Sequence, residues 1–176
     1  VLPEEEAHVS EEALVVLLPG ARVRRMPPKA YNPEQGAGEK PLALLQTATD
    51  RRLRFFTNLG ACCFLPVEEI PETRLNGKPA NLNALIAFEK DEQVVACLEE
   101  GECEGQLYFY TAQGNVKCTQ GSEYNARTRR VAAISLKEGD RLLGVEPARE
   151  DSILLITSQG MSIRFARDTV PEMGRV

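Results

Sequence analysis

Tryptophan is absent from this 176-residue chain, and histidine occurs once, at His8. Nucleophilic schemes that pair Ser or Cys with His would therefore depend on one residue in an acidic N-terminal stretch. The nucleotide-binding patterns GxGxxG and GxxxxGK and the metalloprotease pattern HExxH are also missing from the sequence. We therefore predict no catalytic residues within the chain, and an enzyme is the least favoured class of function.

The five cysteines contain no CxxC pair. Cys62 and Cys63 are adjacent, so in a strand they would point to opposite faces of the sheet. We predict reduced packing thiols, no metal site and no cofactor.

Long apolar runs are also lacking, because no stretch approaches the roughly 18 residues of a membrane-spanning helix. The first twelve residues, VLPEEEAHVSEE, are acidic where a signal peptide would be basic. The sequence thus predicts a cytoplasmic protein with no membrane partner. Its first residue is not Met, which predicts a processed product or an excised piece of a longer chain.

The formal net charge of −5 is unevenly distributed. Residues 1–12 hold five acids and no base, which gives −5, whereas residues 22–54 hold eight bases and three acids, which gives +5. Residues 117–149 hold seven bases and four acids, or +3. Net charge therefore does not exclude a polyanionic partner, although an ordinary mixed surface is the alternative.

A glycine-centred hairpin pattern occurs four times. The copies are ALVVLLPGARVRRMPPKAY (13–31), LRFFTNLGACCFLPVEEIP (53–71), LYFYTAQGNVKCTQGSEYN (107–125) and ILLITSQGMSIRFARDTVP (153–171). The last three carry Thr three residues before the turn glycine, at Thr57, Thr111 and Thr157. An extended run, a glycine able to take a positive φ and a second extended run predict a β-hairpin in each copy.

A second element also recurs: ALIAFEKDEQVVACLEE (84–100) aligns with AAISLKEGDRLLGVEPA (132–148). Each is predicted to be an apolar strand, a charged turn and another apolar strand. Together with the glycine hairpin, this predicts an all-β, propeller-like fold of three to four four-stranded blades in a partial or open ring. The absence of tryptophan excludes the WD type of propeller.

The predicted organisation is an acidic leader at 1–12 and a repeat domain at 13–176, with repeats starting near 13, 53, 107 and 153. Neighbouring blades should bury each other's apolar faces. The predicted core residues are Phe55, Phe56, Phe109, Leu154 and Leu155. Residues 32–52 contain no charged-turn hairpin, so the first repeat is predicted to be complete only in its first hairpin, and the last repeat stops before its second half.

The repeated elements resemble the C-terminal β-pinwheel domain of the A chain of DNA gyrase and of its topoisomerase IV counterpart, which belong to type IIA DNA topoisomerases. The resemblance rests on TAQGNVKCT with KEGDRLLGV, and on DSILLITSQGMSIRFARDTVPEMGR, and it extends over residues 13–176. It implies a β-pinwheel, in which neighbouring blades exchange strands and DNA bends around a basic rim. It also implies a piece that is non-catalytic by itself, since the cleavage tyrosine of the family lies elsewhere in the full-length protein.

One segment departs from the gyrase pattern. The box that gyrase uses for wrapping, roughly QRRGGKG, corresponds here to YNPEQGAGEKP (31–41). Gln35, Gly36, Gly38 and Lys40 are similar to it, but Glu34 and Glu39 stand among them and the arginine pair is missing. Fewer cations neutralise fewer phosphates, so weaker wrapping is expected, and the gyrase and topoisomerase IV types both stay open.

Basic residues gather in the strand after the turn glycine and in nearby loops, such as NARTRRV (125–131). The predicted DNA-contacting residues are Arg22, Arg24, Arg25, Lys29, Lys40, Lys117, Arg127, Arg129, Arg130 and Arg164. The expected partners are double-stranded DNA, the rest of the topoisomerase A protein and the ATPase-bearing B protein, at the bacterial nucleoid in the cytoplasm. The alternative is a propeller-like scaffold for a protein partner.

Overall fold

The structure, a computed structural model, describes residues 9–33 and 39–176. It is built almost entirely of short strands, which confirms the all-β prediction. The strands are β1 (Glu12–Leu18), β2 (Arg22–Met26), β3 (Ala43–Ala48), β4 (Arg52–Thr57), β5 (Ala61–Pro66), β6 (Ala80–Asn81), β7 (Val94–Glu99), β8 (Gln106–Thr111), β9 (Val116–Gln120), β10 (Arg130–Ala132), β11 (Leu142–Pro147), β12 (Ser152–Ile156) and β13 (Ser162–Ala166). One helical turn, α1 (Leu82–Leu85), and five short 3-10 turns connect them.

The strands form four small sheets, each built on one of the predicted hairpins. The strand orders are β3-β1-β2-β6, β10-β5-β4-β7, β11-β8-β9 and β12-β13. In each of the first three sheets, the strand beside the first arm of the hairpin comes from later in the same repeat. The recurrence of this arrangement confirms the prediction of repeated propeller-like blades.

The fourth strand of a sheet comes from the following repeat. β6, which follows the β4–β5 hairpin in the chain, pairs with β2, and β10, which follows the β8–β9 hairpin, pairs with β5. An isolated parallel bridge to the following repeat also occurs twice: Arg25 pairs with Glu72, and Cys118 pairs with Glu172. The first two hairpins are thus completed at their outer edge by a strand that belongs to the following repeat.

Because strands are exchanged between repeats, the prediction of a charged-turn hairpin is wrong. Residues 84–88 form no strand, and β10 and β11, on either side of the KEGDR turn, lie in different sheets. Ile86, Ala133 and Leu142, which flank the charged turns, are buried, but β10 and β11 pair with different strands. A run of apolar residues is compatible with both arrangements, so periodicity did not distinguish them.

The first repeat is more complete than the sequence predicted. β3 lies within residues 32–52 and pairs with β1 along six residue pairs, from Glu12 with Ala48 to Leu17 with Ala43. Its sequence, ALLQTA, follows no charged turn and alternates only weakly, which is why the prediction missed it. The first sheet therefore has four strands.

The chain divides into two compact units, residues 1–53 with 65–87 and residues 54–64 with 88–176. In the first unit, Leu14, Val16, Leu18 and Met26 form a buried cluster on one face of the sheet. These residues alternate along β1 and β2 with others that point to the opposite face, as the period of two in a strand requires.

The second unit has a larger core between successive sheets. Phe56 on β4 meets the rings of Phe109 and Tyr124 edge to face, and the three ring centroids are 5.6–5.7 Å apart. Such offset aromatic contacts add to the free energy gained by burial. Phe55, Phe56 and Phe109 are fully buried, so their predicted core role is confirmed, whereas Leu154 is 58% exposed and that prediction is wrong.

The Thr-x-x-Gly pattern has a direct structural cause. The Oγ1 atoms of Thr57, Thr111 and Thr157 accept a hydrogen bond from the amide four residues later, at 3.1–3.2 Å. The amide of the turn glycine donates to the carbonyl of the same threonine, and the three glycines have φ of 79–80°. Threonine therefore closes the turn and glycine supplies the left-handed backbone that the turn needs.

In two of these hairpins, an acidic residue from the charged-turn segment accepts further hydrogen bonds from the Thr-x-x-Gly turn. Asp140 accepts hydrogen bonds from the amide of Gln113 and the side chain of Asn115, at 3.0 and 3.2 Å. Glu92 occupies the aligned position and accepts from the Thr57 hydroxyl at 2.6 Å. These contacts hold the pKa of both carboxyl groups below their usual values, against the opposing effect of burial. The two sequence patterns that recur together thus form one hydrogen-bonded unit.

Replacing Leu107, which is fully buried, should test the sheet-stacking core. Leu107→Ala is expected to lower the free energy of unfolding by about 2–5 kcal/mol, because it removes buried apolar volume. Leu154→Ala makes the same chemical change at a 58% exposed site and should stay within about 0.5 kcal/mol of the wild type. Urea titration followed by circular dichroism measures both values. Equal losses in the two variants would contradict this description of the core.

Gly60 and Gly114 form a second matched pair, since both have φ near 80°. A Cβ atom on Gly60 would lie 2.8 Å from the carbonyl oxygen of Ile134, whereas one on Gly114 would meet nothing within 4 Å. Gly114→Ala should cost about 1–2 kcal/mol for the left-handed backbone alone. Gly60→Ala should cost more, because a backbone clash is added. Unfolding midpoints in urea compare the two, and an equal cost would rule out the close approach at Gly60.

Candidate nucleic-acid interface

The ten predicted DNA-contacting residues are divided between the two units. Arg22, Arg24, Arg25, Lys29 and Lys40 lie in the first unit, and Lys117, Arg127, Arg129, Arg130 and Arg164 lie in the second. Half of them stand on the second strand of a hairpin, namely Arg22, Arg24 and Arg25 on β2, Lys117 on β9 and Arg164 on β13. The others lie in turns and loops, except Arg130, which begins β10.

The strand cations are engaged with the protein. Arg22 forms an ion pair with Glu39 at 2.8 Å, and Arg25 donates from Nε to the Ile70 carbonyl at 2.9 Å. Lys117 donates to the Arg175 carbonyl, and burial lowers its pKa. Arg164 is exposed but donates to the Ser152 hydroxyl at 3.0 Å. These contacts fix the side chains and leave fewer donors for a polyanion.

Arg24 differs from its neighbours on β2. Its Nε atom is buried and has no hydrogen-bond partner within the described residues. The side chain lines a cavity of about 270 Å³ together with Val16, Tyr31 and Leu75. Its guanidinium therefore belongs partly to the interior of the first unit.

The turn and loop cations are the exposed ones. Lys29 lies in the 3-10 turn Pro28–Ala30, and Lys40 in the loop before β3. Arg127 and Arg129 lie in the loop between the turn Gly121–Tyr124 and β10, and both are exposed. Their exposure makes these long cationic side chains accessible to a phosphate.

Arg130 follows Arg129 in the sequence but is held very differently. Its guanidinium contacts both oxygens of Glu92, at 2.8 and 3.0 Å, and Glu89 at 3.3 Å. The side chain of Glu92 is fully buried. The positive charge of Arg130 is therefore compensated within the protein, which argues against a main role in contacting phosphate.

The topology also points to basic residues that the sequence interpretation missed. The loop between a 3-10 turn and the exchanged strand contains Arg127 and Arg129 in one repeat. The corresponding loop of the preceding repeat, after Val67–Glu69, carries Arg74 and Lys78, both exposed. Aligning the segments downstream of each hairpin, rather than the hairpins themselves, would have identified these two residues.

Two arginines are buried and serve the packing of the second unit. Arg54, 2% exposed, donates to the Gly121 carbonyl and to Asn125 at 3.1 and 2.7 Å. Arg167, 8% exposed, pairs with Glu146 at 2.7 Å and lies 4.5 Å from the ring centre of Tyr108. Both side chains connect one sheet to the next.

Some predicted features fall outside the described residues. These are the first eight residues of the acidic leader, with His8, and residues 34–38 of the segment compared with the gyrase box. Of the remaining box residues, Glu39 is the partner of Arg22.

All five cysteines are free thiols; four lie in strands and Cys103 lies in the 3-10 turn Glu100–Cys103, where burial raises its pKa to about 11. Within residues 9–33 and 39–176, His, Cys, Asp and Glu side chains form no group suited to a metal ion. No helix in the described part of the chain has the length and apolar character needed to cross a membrane.

Comparisons with known proteins agree on one family. The model of the DNA gyrase C-terminal domain, a β-propeller, matches residues 106–149 and 151–176. The chain is 32% identical over 179 residues to the gyrase A protein of Neisseria gonorrhoeae, covering 93% of this chain and 20% of that protein. It is 31% identical over 190 residues to the gyrase A protein of Streptococcus pyogenes, covering 99% and 23%. The chain therefore spans about a fifth of the length of these relatives.

Solved structures agree on the fold. The C-terminal domain of a DNA topoisomerase IV matches with a TM-score of 0.84 and 24% identity, over 96% of this chain and 55% of that one. A DNA gyrase A C-terminal domain matches with a TM-score of 0.64 and 18% identity, over 94% and 58%.

The buried Glu92–Arg130 pair predicts a pH dependence of stability. Burial raises the pKa of Glu92, but hydrogen bonds from Arg130 and Thr57 outweigh it and hold the pKa below the ordinary value of 4.5. A depressed pKa contributes stability above pH 4.5 that is lost as pH falls through the folded-state value. The free energy of unfolding should therefore fall between about pH 5 and pH 3 more steeply in the wild type than in Glu92→Gln.

Urea titrations at several pH values measure this slope. Glu104→Gln, the same change at an exposed residue, serves as the control and should keep the wild-type slope. A Glu92→Gln variant with the wild-type slope would contradict the prediction.

Proposed function

Because the chain belongs to the family of C-terminal domains of the gyrase A and topoisomerase IV A proteins, we propose that it binds and bends double-stranded DNA. Contact is with the phosphate backbone and is independent of base sequence. The domain performs no chemistry; it holds a DNA segment for a catalytic core located elsewhere in the full-length protein.

The observation that carries this proposal is the placement of exposed cations in turns and loops of successive repeats. Lys29 and Lys40 belong to the first repeat, Arg74 and Lys78 to the second, and Arg127 and Arg129 to the third. Arg130 and Arg167, which serve the fold, are instead held in ion pairs with Glu92 and Glu146. Cations that recur at one point of a repeat suit a polymer whose phosphates are also regularly spaced.

The free energy gained from phosphate contacts is large enough for such a surface to bend DNA. Smooth bending of a 20–30 bp duplex by 40–90° costs on the order of 1–6 kcal/mol. Each phosphate neutralised by Lys or Arg releases condensed counterions, and a few such contacts offset that cost. The net charge of −5 equals that of residues 1–12 alone, so residues 13–176 carry no net negative charge that would oppose binding.

We propose as further partners the rest of the A protein and the ATPase-bearing B protein of a bacterial type IIA topoisomerase, acting at the nucleoid. The Glu residues of the segment compared with the gyrase box lower its positive charge, which favours weaker wrapping than in gyrase. The family match does not favour the protein-scaffold alternative.

Binding of a fluorescent duplex of about 30 bp, measured by anisotropy at several salt concentrations, tests the proposal. Affinity should fall steeply with salt, with a slope of log K against log salt of about −0.9 for each phosphate contacted. Two unrelated duplex sequences should bind equally. Energy transfer between dyes at the two ends should rise on binding, because bending brings the ends together.

The double variant Arg127→Gln, Arg129→Gln should reduce affinity and make the salt slope shallower by about 2. Arg149→Gln is the matched control, because Arg149 is 67% exposed and paired with Glu102 outside these loops. Absence of binding at about 50 mM salt, or equal effects in control and double variant, would overturn the proposal.

A further inference from the structure

We infer that Glu92 is a positioning residue for DNA binding: by holding Arg130 it fixes the loop that presents Arg127 and Arg129. The inference rests on the proposed function, and it assigns to an acidic residue a role that supports binding to a polyanion. It also gives Arg130 the role of an anchor rather than of a phosphate ligand.

Each carboxylate oxygen of Glu92 accepts two hydrogen bonds. Oε1 accepts from the Thr57 hydroxyl at 2.6 Å and from Arg130 at 2.8 Å. Oε2 accepts from the Glu89 amide at 2.7 Å and from Arg130 at 3.0 Å. The Glu92 side chain has no exposed surface and that of Arg130 is 33% exposed, so this two-pronged ion pair is partly shielded from water and salt. Such a contact fixes orientation as well as position.

The pair anchors the C-terminal end of the loop. Arg130 is the first residue of β10, a strand of only three residues that pairs with Cys63, Cys62 and Ala61 of β5. The carbonyl of Arg129 accepts from the Phe64 amide at 2.9 Å. So short a strand has few ladder hydrogen bonds, and the ion pair at its start adds a side-chain attachment to the same sheet.

The N-terminal end of the loop has an anchor of its own. Asn125 accepts from the buried guanidinium of Arg54 at 2.7 Å. Only residues 126–129 lie between the two anchors, and they have no regular secondary structure. The loop is therefore fixed at both ends while its basic side chains are exposed.

A loop that is already fixed loses less entropy when it meets DNA. Ordering a long side chain at an interface costs binding free energy, and ordering its backbone adds to that cost. If the Arg130 anchor is released, Arg127 and Arg129 keep their charges, but ordering them costs more than their phosphate contacts return, so that on average they contact fewer phosphates. The inference therefore predicts weaker binding without loss of any cation.

The change in charge alone would shift the DNA affinity in the opposite direction. Glu92→Gln removes a negative charge next to the proposed DNA surface, so simple electrostatics predicts equal or tighter binding. Positioning predicts that affinity falls at least about threefold and that the salt slope becomes shallower by about 1 to 2. A smaller fraction of folded protein would lower the apparent affinity but would leave that slope unchanged.

Glu89→Gln is the matched control. Glu89 also lies beside Arg130, at 3.3 Å, but its side chain is 69% exposed. Its replacement removes the same charge and leaves the buried pair in place, so affinity and salt slope should match or exceed those of the wild type. A second variant, Arg130→Lys, keeps the cation but cannot contact both oxygens of Glu92. It should behave like Glu92→Gln, whereas a phosphate ligand at position 130 would tolerate it.

Limited trypsin digestion gives a readout that needs no DNA. Trypsin cleaves after Arg127 and Arg129, and a released loop should be cut faster in Glu92→Gln and Arg130→Lys than in the wild type and Glu89→Gln. Mass spectrometry locates the cleavage sites. Circular dichroism establishes whether each variant is folded. If Glu92→Gln is unfolded, the comparison is made with Arg130→Lys instead.

The outcomes are distinct. Faster cleavage with weaker binding and a shallower slope supports the inference. Unchanged cleavage, or faster cleavage with affinity equal to that of Glu89→Gln, overturns it. Failure of the wild type itself to bind DNA overturns the proposed function and with it any positioning role in binding, while the cleavage rates still decide whether the pair holds the loop.

Discussion

Completion of a sheet by a strand from the next repeat, as in the first two sheets, is the constraint on which this structure depends. A two-stranded hairpin is at best marginally stable in water, since its edges and one of its faces remain unsatisfied. β6 and β10 satisfy the edges of β2 and β5 with backbone hydrogen bonds from the following repeat. In the second unit, the aromatic contact of Phe56 with Phe109 covers the faces of successive sheets. Each repeat thus depends on its successor for both hydrogen bonds and apolar burial.

This exchange also decides where charge can be exposed. The chain must leave one sheet after each 3-10 turn and reach another, and the connecting loop has few backbone partners on the way. Arg127 and Arg129 lie in such a loop, as do Arg74 and Lys78 in the preceding repeat. Cations within the strands lie close to carbonyls and carboxylates of segments packed against the sheet: Arg22 is bound by Glu39 and Arg25 by the Ile70 carbonyl. Topology therefore separates cations that support the fold from cations that are exposed on the connecting loops.

The acidic residues have a structural role in the same arrangement. Asp140 and Glu92 come from the turn before the third strand of a sheet and accept hydrogen bonds from the threonine–glycine turn of the hairpin. Glu92 adds the pair with Arg130, so that one carboxylate contacts the hairpin turn and the start of the exchanged strand. These acids therefore act inside the fold, while the net charge of −5 equals that of residues 1–12 alone, so the chain's net negative charge is compatible with a basic surface elsewhere.

Much of the fold could be predicted from the sequence. The positions of the hairpins follow from local chemistry, because each Thr-x-x-Gly turn is closed by its own threonine and glycine, and Phe55, Phe56 and Phe109 are apolar enough to be buried in any stacked arrangement. The partner of a strand does not follow from local chemistry. The β10 segment was predicted to pair with its neighbour β11 and instead pairs with β5, about 70 residues earlier in the chain.

The candidate site divides in the same way. The sequence by itself determined the family, the repeated hairpins and the basic residues that follow three of the four turn glycines, since these depend on residue type and spacing along the chain. Only the tertiary structure decided that Arg130 is an anchor for Glu92 while Arg127 and Arg129, next to it in the chain, are exposed. The physical reason is that pairing of a charge depends on which carboxylate lies within a few ångströms. That distance is set by strand exchange, which brings together residues of successive repeats such as Glu92 and Arg130.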